Sequence, residues 1–161
     1  MELDDLGPAE RFTADAIGTP GHRRFYLQVV AGGTVYTLLT EKQQVAALGT
    51  QGLEILDDHE ISSDMEAVTR LVDEGLDIED PGVDGEKFRV GKITISLSAS
   101  ELLTVNITSD DDEEAVSFVI APEQLRAMAV VALEVVASGR PICRWCRLPM
   151  NPDGHECPAR N

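Results

Sequence analysis

Phe25, Leu27, Val29 and Ala31 alternate with Tyr26, Gln28 and Val30, the two-residue period of a half-buried strand. Arg11 to Ala16 reads as a short extended segment ahead of it, and Gly18-Thr19-Pro20-Gly21 as the turn between them. Gly32-Gly33 is a two-residue hairpin signal, so Val35 to Leu39 is the return strand. The period then lengthens. Val45, Leu48, Gly52 and Ile55 or Leu56 fall on helical spacing, and Thr40 with Gln43 predicts a capping box at the helix start. Gly49 and Gly52 each weaken that helix by about 1 kcal/mol relative to Ala, which points to close packing on the sheet.

Ser63 and Glu66 predict a second capping box, followed by Val68, Leu71 and Val72 and stopped by Gly75. Asp77 to Glu86 is acidic, carries Gly and Pro, and has no period; it reads as a mobile loop. Phe88 and Val90 alternate, then Ile93, Ile95 and Leu97 alternate on the opposite parity, so Gly91 predicts a β-bulge. Leu103, Val105 and Ile107 form the next strand, and Val116, Phe118 and Ile120 another. Pro122 suits the first position of a helix running to about Ser138, with Gly139 as its stop. Leu125, Met128, Ala129, Ala132 and Val136 share one face of it. Val130, Val131, Leu133 and Val135 make it apolar nearly all round, so it is buried on more than one side, by a second layer or a partner chain.

Each half is thus three strands followed by a helix. The predicted fold class is α+β: two βββα halves forming a mainly antiparallel six-stranded system, as one sheet or two, with packed helices and a small C-terminal zinc-knuckle lobe. The domain division places an α+β body at 1–139, with a loop at 76–87, and the lobe at 140–161. The two halves share this outline and no evident residue identity.

Composition narrows the class. The chain has 161 residues, the size of one ordinary domain. Apolar residues make up 43% and aromatics only 4%, so the core must rest on Val, Leu, Ile and Ala. No apolar run reaches the roughly 18–20 residues of a membrane span, and the start, Met1-Glu2-Leu3-Asp4-Asp5, is acidic where a signal peptide is basic. A cytoplasmic protein is expected. The net charge of −16 argues against a general nucleic-acid or anionic-membrane surface. From Arg140 onward Arg140, Arg144, Arg147 and Arg160 outnumber Asp153 and Glu156, so an acidic body ends in a basic tip.

All three cysteines lie in that tip. Cys143, Cys146, His155 and Cys157 have the spacing C-x2-C-x8-H-x-C. A C-x2-C knuckle can put two sulfurs on one ion, and the Pro149, Pro152 and Gly154 between the pairs can double the chain back to offer two more donors. Three thiolates and one imidazole fill a tetrahedral zinc site and leave no open position, which makes the metal structural rather than catalytic. A redox dithiol and an iron site are the alternatives. Trp145 is read as packing over the metal loop, with a partner-binding anchor as its alternative. His22, with Arg23-Arg24, could help bind an anion but reads first as a surface loop histidine. His59 ends the first helix, where cationic groups are favoured. Asp110 to Glu114 reads as a solvated turn, since it lacks the spacing of a calcium loop.

The matching stretches Arg11-Phe12, Gly18-Thr19-Pro20-Gly21, Phe25-Tyr26-Leu27-Gln28, Glu41-Lys42-Gln43-Gln44-Val45, Phe88-Arg89-Val90-Gly91, Gly139-Arg140-Pro141 and Asn151 to Pro158 cover nearly the whole chain. In their order it resembles the domain of unknown function 3090 family, small cytoplasmic proteins of actinobacteria. The family pattern has Gly after the second cysteine, where this chain has Arg147. The resemblance implies no activity.

Two functions are therefore expected to compete. One is a non-enzymatic protein-interaction or scaffold module, working with a protein partner or as a homo-oligomer, with no membrane and with nucleic acid a minor reading. The other is an enzyme or accessory subunit that holds a small anionic metabolite near Gly18 to Arg24.

Overall fold

The structure is a computed structural model that describes residues 1–19, 21–79, 81 and 85–138. Its strands are β1 (Glu2–Pro8), β2 (Arg11–Ile17), β3 (Arg24–Ala31), β4 (Thr34–Thr40), β5 (Glu86–Leu97), β6 (Leu103–Ser109) and β7 (Glu114–Ile120). The helices are α1 (Lys42–Asp58), α2 (Met65–Asp73) and α3 (Pro122–Ser138). The class is α+β, with seven strands in the order β1-β7-β6-β5-β4-β3-β2.

Two connections depart from the expected antiparallel set of six. β1 was not expected: Glu2-Leu3-Asp4-Asp5 carries too many acids to read as a strand, yet it pairs parallel to β7. β4 and β5 are also parallel. The two strands at the ends of the order, β1 and β2, are consecutive in the chain and separated only by Ala9 and Glu10. The Ala9 N–H donates to Val119 O of β7 at 2.8 Å, and the Glu10 N–H to Val30 O of β3 at 2.7 Å. One long strand therefore turns a corner and joins both ends of the sheet.

β5 does the same in the other half. Its start pairs with β4, and from Val90 it pairs antiparallel with β6. The expected bulge at Gly91 is present as a register shift between Val90 and Lys92. A Cβ on Gly91 would lie 2.7 Å from Ser109 O and 2.8 Å from Asp110 Cα, so the corner needs glycine. Gly32 and Gly33 both have positive φ, 59° and 78°, in the β3–β4 hairpin, as their residue type predicts.

The helix starts differ from the expected pairs by one residue. α1 is capped by Glu41 with Gln44, because the side chain of Gln44, not of Gln43, reaches back to the Glu41 N–H. α2 is capped by Asp64, whose carboxylate accepts from the Glu66 and Ala67 amides, while the Ser63 hydroxyl accepts from Arg126. α1 and α3 cross where side chains are small. A Cβ on Gly49 would meet Leu133 Cγ at 2.9 Å, and one on Gly52 would meet Leu125 Cδ1 at 3.0 Å. The glycines thus admit α3, and not the sheet that the sequence pointed to. The apolar last helix is covered as its composition demands: by α1, by β2, and by Val68 and Leu76 against Ala127. Phe12 and Phe118, edge to face with centroids 4.9 Å apart, centre the core among Leu27, Leu38, Ile107 and Met128.

Leu76 to Glu79 is not the free loop that its composition predicts. Arg11 donates to the Gly75 and Asp77 carbonyls, and Thr13 Oγ1 to Leu76 O. Asp15 accepts from the Ile78 amide, and Gln28 bonds both the N–H and the C=O of Glu79. The outer side chains of β2 and β3 hold this segment by its backbone, a recognition that hydropathy does not register.

Candidate functional site

Cys143, Cys146, His155 and Cys157 lie outside the described residues, as do Trp145 and the division at residues 139 and 140. The described chain reaches Ser138, at the end of α3, where that segment begins. This end is tied down. Arg23 Nη1 donates to Val135 O at 3.0 Å and reaches Ser138 Oγ at 3.4 Å, while its guanidinium carbon stands 4.8 Å from the Phe25 ring centre. A cation on terminal helix carbonyls is favoured by the helix dipole. Its neighbour Arg24 pairs with Glu86 at 3.1 Å, and the Tyr26 hydroxyl donates to the same carboxylate. The two arginines considered for an anion are thus engaged with the protein itself.

The acidic turn after β6 is organised internally. The Ser109 hydroxyl donates to Asp111 at 2.6 Å and accepts from the Glu114 amide at 3.0 Å; the Glu113 amide also donates to Asp111. The Ser109 hydrogen bond, then the Glu113 amide, hold the Asp111 carboxyl below its ordinary value. Asp112 has φ 59°, which a short polar side chain tolerates. A solvated turn accounts for the run. Among the described residues, no three His, Cys, Asp or Glu side chains converge as a metal site. His59 is the C-cap of α1, as expected.

Sequence reading missed a cleft of about 170 Å³ between α1 and β5. Ala47, Leu48 and Ile55 form its α1 wall, and Ile93 and Ile95 its floor on β5. Gln44 and Gln51 supply amides at its margin, and Gly91 closes one end. Ile93 and Ile95 are half-buried, while Ala47 and Gln51 are exposed. An apolar cleft with two amides and no ionisable side chain in its wall suits the aliphatic groups of a polypeptide segment, and offers no group for proton transfer. The signal for it is weak in one dimension, because α1 and β5 are joined in space by the parallel β4–β5 pairing.

A comparison with sequence families matches residues 5–157 to the family described as "Protein of unknown function (DUF3090)". Comparisons with curated proteins and with solved structures each gave no match. Among the described residues, no helix is long and apolar enough to cross a membrane.

Proposed function

The chain belongs to this family of unknown function, and from that premise we propose that it is a non-enzymatic protein-interaction or scaffold module. We further propose that it carries one structural zinc ion on Cys143, Cys146, His155 and Cys157. The observation that carries the reading is the donor set: three thiols and an imidazole, in C-x2-C-x8-H-x-C spacing, on the segment that leaves α3. That set fits tetrahedral zinc and leaves no coordination position for a substrate. The zinc would cross-link a segment of 23 residues too short to build a core of its own. The engagement of Arg23 and Arg24 leaves the anion-binding alternative with weaker support.

Metal analysis of the purified full chain tests the zinc. One zinc per chain is expected, with Cys143→Ser or His155→Ala lowering that ratio while the circular dichroism of the sheet persists. A metal-free chain that binds no added zinc would overturn it, and iron in its place would reassign the ion. Native mass measurement tests the module: assembly or a retained protein partner is expected. A strict monomer that turns over a small anionic metabolite would favour the enzyme reading.

A further inference from the structure

The α1/β5 cleft has a counterpart in the other half, and the counterpart is filled by the protein's own chain. Between α3 and β2 the equivalent walls are Gln124 and Ala127 on α3 and Glu10, Arg11 and Phe12 on the strand. Only about 20 Å³ remains open there, because Leu71 and Leu76 occupy the space. Those two residues belong to the segment that follows α1. Ala127 is accordingly 1% exposed, whereas Ala47, in the same place on α1, faces solvent.

The polar row on the opposite face of the sheet from each cleft is repeated too, since Thr13 and Thr94 alternate with the cleft residues Phe12 and Ile93. Thr13, Gln28 and Thr37 stand side by side across β2, β3 and β4, and Thr94, Asn106 and Ser117 across β5, β6 and β7. In the first row Thr13 and Gln28 are buried, holding the backbone of Leu76 and Glu79. In the second Thr94 is exposed and Asn106 and Ser117 are half-buried. The hydroxyl and amide chemistry that grips a backbone is retained where the described chain provides no covering segment.

From this we infer that the α1/β5 cleft and the Thr94–Asn106–Ser117 face are the docking site of the chain's own residues 139–161. These residues follow α3 in the chain as residues 59–79 follow α1, and Ser138, the last residue of α3, is held by Arg23. They supply aliphatic and aromatic groups for the cleft in Ile142, Trp145, Leu148 and Met150. Their excess of arginine complements a chain of net charge −16. Docking needs no metal, so it stands or falls separately from the zinc.

Limited trypsin digestion of the full chain, read at Arg144 and Arg147, provides the test. Ala47→Glu and Ile95→Glu place a charge in the cleft and add no trypsin site. Each is expected to speed cleavage at those arginines by about tenfold, as release of a docked segment does, while residues 1–138 stay intact. Unchanged cleavage in both folded variants would overturn the inference. Should a variant fail to fold, methyl NMR of the unaltered full chain decides. Nuclear Overhauser contacts from Ile93 and Ile95 to residues 139–161 are expected within one molecule. Their absence, or their appearance only between differently labelled copies, would overturn it.

Discussion

Gln44 and Gln124 make the same pair of hydrogen bonds in opposite halves of the molecule. Each accepts, through its side-chain oxygen, from the amide that precedes its own helix: Glu41 N–H at 2.9 Å and Ala121 N–H at 2.8 Å. Each donates, through its side-chain nitrogen, to the strand corner of the other half: Val90 O at 3.1 Å and Ala9 O at 2.9 Å. One amide thus caps a helix and satisfies a carbonyl where the strand ladder breaks.

Replacing Gln124 with Leu keeps the volume and removes both bonds. Leaving a part-buried carbonyl and a helix-start amide unpaired costs about 1–3 kcal/mol. Gln44→Leu is expected to cost a similar amount. Urea denaturation checks both; a loss below a few tenths of a kcal/mol would mean that water replaces the amide at the corner.

Gly91→Ala adds a methyl group against Ser109 O and Asp110 Cα, at 2.7 and 2.8 Å. Both neighbours are backbone and cannot rotate aside, so the strand pairing must shift, at about 1–3 kcal/mol. Lys92→Ala, at the exposed next position, should stay within about 0.5 kcal/mol. Equal stabilities by thermal or chemical unfolding would show that the bulge has slack.

Lys87 on β5 reaches across to Asp4 of β1, Nζ to Oδ2 at 2.8 Å, with Glu114 at 3.9 Å. The hydrogen bond to Asp4, aided by the nearby carboxylates against a desolvation cost, raises the lysine above its ordinary 10.5. The folded state therefore holds this proton more tightly than the unfolded chain. The stabilisation is complete below 10.5 and is lost as pH rises through the higher folded value. Stability measured against pH should show this alkaline loss in the native protein and lack it in Lys87→Met. Identical alkaline limbs would remove the pair from the account.

Asp64→Ala removes the carboxylate that accepts from the Glu66 and Ala67 amides. The cost is about 1 kcal/mol, and it should appear locally. α2 has nine residues and rests on α3 through Val68, Leu71 and Val72. Faster hydrogen exchange across Met65–Asp73 with unchanged exchange in β6 is expected; uniform acceleration would show that α2 opens only with the whole fold.

Much of this was legible in one dimension. The alternation in β3 and β6, the helical spacing of α1 and α3, the Gly32-Gly33 hairpin and the parity flip at Gly91 each follow from side-chain geometry over a few residues. What escaped were relations between distant segments. β1 is a strand because β7 provides a ladder for it, despite its acids. Leu76 to Glu79 is ordered because Thr13 and Gln28 bond its backbone, which leaves no trace in its own side chains. The likeness of Gln44 and Gln124 emerges only once the halves are superposed in function, since their neighbours differ. The cysteine and histidine spacing was the most readable chemical feature, and it lies beyond the described residues. The cleft was unreadable, because its two walls meet only after β4 and β5 have paired.

The exchange of strand corners means that neither βββα unit is self-sufficient. A lone unit would expose the helix face that packs on the other helix, a bare sheet margin and a corner carbonyl awaiting an amide from elsewhere. Everything it lacks is what a second such unit supplies. Severed from its sister, it could complete itself only by finding its own twin, as a symmetric pair.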